Sequence, residues 1–167
     1  MAKLGSEKIS VTPELSATKN ESPVRIKGKT TSMVSVYTTL DANEVAFNLI
    51  ANADVYIQDY VADHGKIWGK VVGVVDGKDV YGFVDIAKTI YVFTSTRTVK
   101  EALNVRSVYG STAEDTVVGQ LDAGVTITLT ALAVDSNGNV WGQLQSCTDK
   151  DGKDVSGNWV NLTYTQW

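Results

Sequence analysis

A thiol and an imidazole could together support nucleophilic catalysis, and the chain carries one of each, Cys147 and His64. A cysteine nucleophile needs a base within hydrogen-bond reach and a further group that orients that base. Cys147 lies in a predicted loop, whereas His64 precedes Gly65 in a predicted tight turn in a different part of the chain. These positions favour an incidental thiol and a turn histidine over a catalytic pair, so we predict that the protein is not an enzyme.

The carboxylates also have to be weighed as chemistry, because two of them could run glycoside hydrolysis. Each lies beside Gly, Asn, Ser or Lys in a predicted turn, where a solvated loop acid is the default interpretation. Residues 149–154 superficially resemble a calcium loop, but the glycine comes too early and no glutamate closes the series. With one cysteine and one histidine no Cys/His zinc site can form within the chain, and we predict no metal and no cofactor. The acids considered are Glu114, Asp115, Asp135, Asp149, Asp151 and Asp154.

Aromatic side chains are the residues with the best prospect of binding a ligand, because sugar rings and peptides are held by flat apolar faces rimmed with polar groups. For Trp68 and Trp141, which share a Trp-Gly context, we expect core packing. Core packing is also the alternative for each candidate below. The predicted ligand-binding candidates are Tyr109, Trp159 and Tyr164, together with Asn137 in a turn and Tyr37 in a second Ser-Val-Tyr segment.

Charge and hydropathy exclude several classes of partner. Lys and Arg number 15 against 19 Asp and Glu, which gives a formal charge of −4, and no basic cluster provides the footprint of a nucleic-acid binder. No apolar run approaches the length that spans a membrane, and residues 1–8 have no apolar signal-peptide core. We therefore expect no nucleic-acid partner, no membrane insertion and no signal peptide in this chain.

After a polar N-terminal stretch, the same pattern of residues occurs twice, and a repeat of this kind indicates a duplicated unit. The order is colinear and the offset grows slightly at loops. The matching segments are 35–37 with 107–109, 65–69 with 138–142, 76–80 with 151–155, and 83–84 with 159–160.

Short β-prone runs broken by turn residues fill both copies. Residues 125–130 alternate apolar and polar side chains, as a strand with one buried face does. Asn137-Gly138 predicts a tight turn before the next strand, and His64-Gly65 does the same in the first copy. No apolar run at helical spacing reaches the length of an ordinary helix. The sequence therefore predicts an all-β fold.

The second copy resembles the bacterial SH3-like (SH3b) family along its whole length. The resemblance rests on Leu-Asn-Val-Arg-Ser at 103–107, the alternating strand from Val125, Trp141-Gly142 and Gly-Asn-Trp-Val at 157–160. The first copy matches the family only through its likeness to the second, with Val34 in place of Arg106 and Phe83 in place of Trp159. The resemblance implies a small, partly open β-barrel that serves as a cell-wall-targeting module or as a binding module of phage and bacterial surface proteins.

The expected organisation is two tandem small SH3-like β-barrels preceded by an extended arm. We assign 1–32 to the arm, 33–90 to repeat 1, 91–102 to a connecting strand and 103–167 to repeat 2. A barrel of about 60 residues is marginally stable alone, so we expect the copies and the arm to pack together. The arm, with both prolines, is expected to dock on a neighbouring domain or to hold an oligomer together.

Two functions remain open from the sequence. The first is non-catalytic binding of bacterial cell-wall glycopeptide, implied by the family resemblance, as part of a phage particle. The alternative is a purely structural virion protein, a capsid or tail decoration or adaptor that contacts other virion or surface proteins. Both place the chain on a virion or at the bacterial cell surface.

Overall fold

A computed structural model describes residues 23–167 of the chain, with residue 75 and residues 88–93 described by their backbone alone. This part of the chain is built from thirteen strands, one four-residue helix, α1 (Ile86–Thr89), and two short 3-10 turns, Glu114–Thr116 and Leu162–Tyr164. The all-β prediction is confirmed. The strands are β1 Ile26–Thr30, β2 Val34–Tyr37, β3 Val45–Leu49, β4 Asp54–Asp63, β5 Lys66–Val75, β6 Lys78–Asp85, β7 Ile90–Val99, β8 Leu103–Arg106, β9 Val117–Leu121, β10 Thr126–Val134, β11 Val140–Leu144, β12 Trp159–Asn161 and β13 Thr165–Gln166.

The strands form one continuous antiparallel sheet whose order is symmetric about its middle. The order is β3-β2-β6-β5-β4-β1-β7-β10-β11-β12-β8-β9, and β13 pairs with β7 off this path. We call β1–β6 the first half and β7–β13 the second half. Reading outward from the β1–β7 pair, each half presents equivalent strands in the same order.

A local two-fold relationship lies at the pairing of Ile26 with Ser95. Ile26 pairs on its other side with Ile57, and Ser95 pairs on its other side with Leu129. The two residues therefore occupy equivalent places in the two halves while also facing each other. The halves are joined by a backbone ladder rather than by a linker.

This arrangement bears on the predicted domain ranges. Residues 26–30 belong to the range predicted as an arm, yet they form β1, which is paired on both sides near the middle of the sheet. The range 91–102 holds most of β7, which is the first strand of the second half as well as a connection. The rest of the arm, residues 1–22, lies outside the described residues. The structure joins the two expected barrels in one sheet, and their SH3-like assignment stays a prediction.

The register of β2 with β3 corrects one step of the repeat alignment. Both β2–β3 and β8–β9 carry a bulge, after Val36 and after Val105 respectively. Counting from these bulges, Tyr37 is equivalent to Arg106, and Val34 is equivalent to Leu103. The sequence had instead matched Tyr37 with Tyr109 and placed Val34 at the position of Arg106, and both assignments are wrong. A loop that is three residues longer between β8 and β9 produces the difference.

The core is formed by the apolar side chains that alternate along these strands, from both halves, in one contiguous cluster. Burying such branched side chains contributes roughly 1.5–3 kcal/mol each. Glycines in the strands permit close approach: a Cβ on Gly142 would lie 2.7 Å from a Leu129 methyl carbon. Fully buried members of the core include Ile26, Val36, Ile57, Ile67, Val84, Val105, Leu129 and Val160.

The C-terminal residues close the middle of the sheet. Arg97 on β7 is only 7% exposed, and its Nε donates to the Thr165 hydroxyl at 2.8 Å. The guanidinium lies 4.1 Å from the centroid of the Trp167 ring, which meets Tyr60 of the first half edge to face at 5.6 Å. Arg25 lies over the same Trp167 ring at 5.0 Å. This arrangement, the Arg97 cluster, connects β4, β7 and β13.

Both ends of the described chain lie on the same edge of β7. β13 ends with Gln166 opposite Thr98, and β1 begins with Ile26 opposite Ser95. Since β10 pairs with Thr98 and with Ser95 along the other edge, β13 and β1 follow each other in a single line. Two residues of β7, 96–97, separate the two pairings.

Within residues 23–167, no helix has the length and apolar character needed to span a membrane.

Candidate ligand-binding pocket

A pocket of about 290 Å³ opens on the second half, on the face of β8, β11 and β12 that points away from the core. Strand alternation explains Asn104, Arg106 and Asn161 in the lining, because Val105 and Val160 beside them in sequence are buried in the core. Leu103, which also belongs to the core, reaches the pocket as well. The pocket is lined by Ala102, Leu103, Asn104, Arg106, Ser111, Thr112, Gln120, Trp141, Asn161 and Tyr164.

Arg106 ends β8 and braces the loop that forms one wall. Its Nη1 donates to the Ala113 carbonyl at 2.8 Å and to the Thr116 hydroxyl at 3.0 Å. Thr116 also lies 3.2 Å from the Ser111 hydroxyl, which accepts from the Ala113 backbone N–H. The guanidinium is therefore fixed through Nη1, and Thr116 links it to Ser111 in the loop that forms this wall of the pocket.

Trp141 forms the buried base of the pocket, with 5% of its surface exposed. Its indole Nε1 donates to Asp135 Oδ2 at 2.8 Å. Asp135 Oδ1 accepts the backbone N–H groups of Asn137 and Asn139, both at 2.9 Å. Burial opposes ionisation here, but the hydrogen bonds from Trp141, Asn139 and Asn137 outweigh it and lower the pKa of Asp135 below its ordinary value.

The predicted candidate Asn137 is part of this support and lies in the turn between β10 and β11. The turn depends on Gly138, which adopts a φ of 84° that glycine takes without strain. Asn137 is not among the residues that line the pocket. Its role as a ligand-binding residue stays a prediction.

Carboxamides and a phenol supply the remaining polar surface. Gln120 Nε2 lies 3.4 Å from Asn104 Oδ1 across the β8–β9 pair. Asn161 Oδ1 accepts from the Thr163 N–H and so begins the turn that presents Tyr164. Tyr164, a predicted candidate, lines the pocket and remains 41% exposed.

The other two predicted aromatic residues of the second copy lie together beside the pocket. Tyr109 and Trp159 have ring centroids 5.0 Å apart with planes tilted by 58°. Trp159 pairs with Arg106 across β12 and β8, so this ring pair adjoins the residue that braces the wall. Neither ring is among the lining residues, and their part in binding stays a prediction.

The equivalent face of the first half is filled by side chains. Trp68, the counterpart of Trp141, packs with Phe83 in a small apolar cluster separate from the core. The predicted candidate Tyr37 belongs to it and meets Trp68 edge to face, with centroids 6.2 Å apart. Leu40 from the β2–β3 loop packs on the same cluster. A tyrosine at the position equivalent to Arg106 thus replaces a polar lining with a packed one.

Residues that could carry catalysis are not assembled with the pocket. Cys147 follows β11, and burial together with the charges of Asp149 and Asp154 raises the pKa of its thiol. His64 lies in the β4–β5 turn of the first half with a φ of 52°, and its Nδ1 is 3.0 Å from Asp63 Oδ2. Among the described residues, no group of three or more His, Cys, Asp or Glu side chains is placed to hold a metal ion.

Sequence reasoning missed most of the lining, which is made of small polar residues. Arg106 stood in the Leu-Asn-Val-Arg-Ser segment but was noted there only as a family signature. The alternation of that segment was the available signal, since Leu103 and Val105 are buried and the residues between and after them must face outward. Nothing local in the sequence marked Gln120 or Asn161.

No protein-family model matches the chain, and no curated protein matches it. The chain is similar to NlpC1 from Trichomonas vaginalis, with 16% identity and a TM-score of 0.33 over 92% of this chain and 49% of that one. It is similar to NlpC2 from the same organism, with 17% identity and a TM-score of 0.34 over 89% of this chain and 49% of that one. It is also similar to Ly7917 with the hydrolysing product of MDP, with 16% identity and a TM-score of 0.30 over 77% of this chain and 55% of that one. The chain spans about half the length of these proteins. With TM-scores below 0.5, these likenesses carry no argument about function.

Proposed function

We propose that this chain is a non-catalytic binding module that holds bacterial cell-wall glycopeptide in the pocket of the second half. The observation that carries the proposal is the combination of aromatic rings with carboxamides in one recess: Tyr164 and Trp141 beside Asn104, Gln120 and Asn161. Ligand sites combine apolar and aromatic surface with a few placed polar groups, and a glycopeptide offers both amides and sugar faces. The sequence resemblance of the second half to SH3b modules supports the cell wall as the source of the ligand and the bacterial surface as the place of action.

A binding role without catalysis agrees with the chemistry of the ionisable side chains. A thiol whose pKa is raised by burial and by neighbouring carboxylates is a poor nucleophile at neutral pH, and Cys147 is in this situation. The single imidazole, His64, belongs to a turn of the first half. Neither residue lines the pocket.

Co-sedimentation with purified peptidoglycan tests the proposal. The wild-type protein is expected to sediment with the insoluble wall at low salt. Tyr164→Ala should weaken binding by roughly tenfold or more, because a ring that stacks on a ligand is worth about 1–3 kcal/mol. Tyr56→Ala is the matched control, since Tyr56 is similarly exposed at 46% but lies on β4 of the first half.

Two results would contradict the proposal. The first is a wild-type protein that stays in the supernatant at low salt. The second is equal loss of binding in the Tyr56 and Tyr164 variants, which would show that the pocket is not the contact surface.

A second candidate function, assembly into a particle, is favoured by the outer edge of the first half. Met33, Val45 and Ile50 are exposed by 72%, 47% and 73% around β3, which is the last strand of the sheet on that side. An edge strand with apolar side chains is a site where another chain can add. Light scattering of Ile50→Lys against the wild type tests this candidate. A wild-type protein that is monomeric up to millimolar concentration would rule out assembly by copies of this chain.

A further inference from the structure

We propose that the pocket selects a ligand with a free carboxylate on its peptide part, and that Arg106 is the residue that receives this carboxylate. The inference rests on the proposed function and adds the charge and the chemical group that the site recognises.

The charge of the lining is the first observation. Among the ten lining residues Arg106 carries the one formal charge, and no Asp or Glu is present. The chain as a whole has 19 acidic residues and a formal charge of −4. A recess with a cation and no acid in an otherwise acidic protein favours an anionic group over a cationic one.

The guanidinium of Arg106 makes hydrogen bonds through one of its three nitrogens. Its Nη1 is taken by the Ala113 carbonyl and the Thr116 hydroxyl, and within residues 23–167 no hydrogen bond is made by its Nε or Nη2. These two atoms form one edge of the guanidinium fork, the edge that binds a carboxylate through two parallel hydrogen bonds. The loop contacts hold the side chain in place, so little side-chain entropy is lost when such a ligand binds.

Asp135, the carboxylate bonded to Trp141 at the base of the pocket, already has its own hydrogen-bond donors. Asp135 Oδ2 accepts from Trp141 Nε1 at 2.8 Å and lies 3.3 Å from Asn139 Nδ2, while Oδ1 accepts two backbone N–H groups. Its charge is balanced by four donors. Asp135 is therefore not the partner of Arg106.

The first half provides an internal contrast. Tyr37 occupies the position equivalent to Arg106 when counted from the bulges in β2–β3 and β8–β9. Asp85 occupies the position equivalent to Asn161, because Asp85 pairs with Trp68 and Asn161 pairs with Trp141. The change replaces a cation by a neutral ring and a neutral amide by an acid. The position equivalent to Arg106 therefore offers no guanidinium in the first half, where Lys66 is stacked over Trp68 and Lys70 is fully buried.

Size favours a terminal group over a polymer. A volume of about 290 Å³ lies at the lower end for ligand pockets. Its lining combines six polar side chains with Ala102, Leu103, Trp141 and Tyr164. A carboxylate with one or two attached residues fits this description.

Titration calorimetry with a soluble muropeptide, before and after conversion of its carboxylates to amides, tests the group that is recognised.

The free acid should bind at least tenfold more tightly than the amide. Arg106→Gln should remove the difference, and Arg106→Lys should keep only part of it, because an ammonium cannot make the two parallel bonds. Lys66→Gln is the control, since Lys66 is a cation stacked over Trp68 in the first half. Because Arg106 also braces the loop, thermal unfolding of each variant is recorded, and the comparison of acid with amide on the wild-type protein is independent of any variant.

The outcomes separate the two proposals. If acid and amide bind with equal affinity, the carboxylate inference is overturned while the proposed function stands. If neither form binds, the proposed function fails and the inference fails with it. If the disaccharide without peptide binds as tightly as the muropeptide, the carboxylate is not on the peptide part.

Discussion

The Arg97 guanidinium lies over the Trp167 ring at the middle of the sheet, with the guanidinium carbon 4.1 Å from the ring centroid. The arginine is almost fully buried, and its hydrogen bonds go to Thr165 two residues before the tryptophan. The C-terminal residues Thr165 and Trp167 thus cover the Arg97 guanidinium. The contact is part of the fold and lies apart from the pocket.

Trp167→Ala is expected to lower the free energy of unfolding by about 1–3 kcal/mol, since it removes a cation–π contact and apolar cover from Arg97. Urea denaturation at neutral pH measures the change. Trp167→Phe should retain part of the lost stability, because a ring remains over the guanidinium. An alanine variant as stable as the wild type would show that the contact contributes nothing.

The collinear placement of β13 and β1 on β7 predicts that the C-terminal residues can be connected directly to β1. The register places Trp167 and Arg25 opposite the two residues of β7 that separate β13 from β1. A circular permutant of residues 25–167 that joins Trp167 to Arg25 and opens the chain at the exposed 76–77 turn should fold, with a melting temperature within about 10 °C of that of unpermuted 25–167. Circular dichroism melts test it. A permutant without a cooperative transition would contradict the collinear placement.

Acid should weaken the support of Trp141. The pKa of Asp135 is lowered in the folded protein, so the stability that this carboxylate contributes is fully present above about pH 4, the ordinary aspartate value, and is lost as the pH falls toward the lowered value. Asp135→Asn should therefore cost about 1–3 kcal/mol at pH 7 and less at pH 3. Urea titrations at both pH values measure this. An equal cost at the two pH values would contradict the assignment.

Gly82→Ala should destabilise the first half by roughly 1–3 kcal/mol through overpacking. A Cβ at this position would lie 2.7 Å from the Tyr37 carbonyl oxygen and equally close to a Val36 methyl carbon. A backbone atom cannot move aside as a flexible side chain does. Thermal unfolding measures the effect, and an unchanged melting temperature would show that β2 and β6 can separate at no cost.

The sequence predicted several of the strands and turns but not their pairing partners, and it left 45–49 and 117–121, which are β3 and β9, ambiguous. Alternation at residues 125–130 predicted most of β10, and the His64-Gly65 pair predicted the two-residue turn between β4 and β5, where both residues have positive φ. By contrast, the pairing of Ile26 with Ser95 joins residues that are far apart in the chain. Local patterning carries no information about such a contact, so β1 was assigned to an arm.

The site was predictable in part for the same reason. Tyr164 was identified because aromatic residues near strand ends are recognisable by type. Arg106 and Asn161 line the same pocket only because β8 pairs with β12, through Arg106 and Trp159, and this is a contact between distant segments. The exchange of Arg106 for Tyr37 was hidden as well, because a three-residue difference in loop length made two Ser-Val-Tyr segments align instead.

Trp68, Phe83 and Tyr37 fill the first-half face, and this packing determines how many ligand pockets the two halves offer. Of the two equivalent faces in residues 23–167, packing has closed the one on the first half and left the recess on the second half open, where a simple duplication would leave both open. For the cell-wall binding that we propose, avidity would then come from the number of chains presented together and not from the number of repeats within a chain.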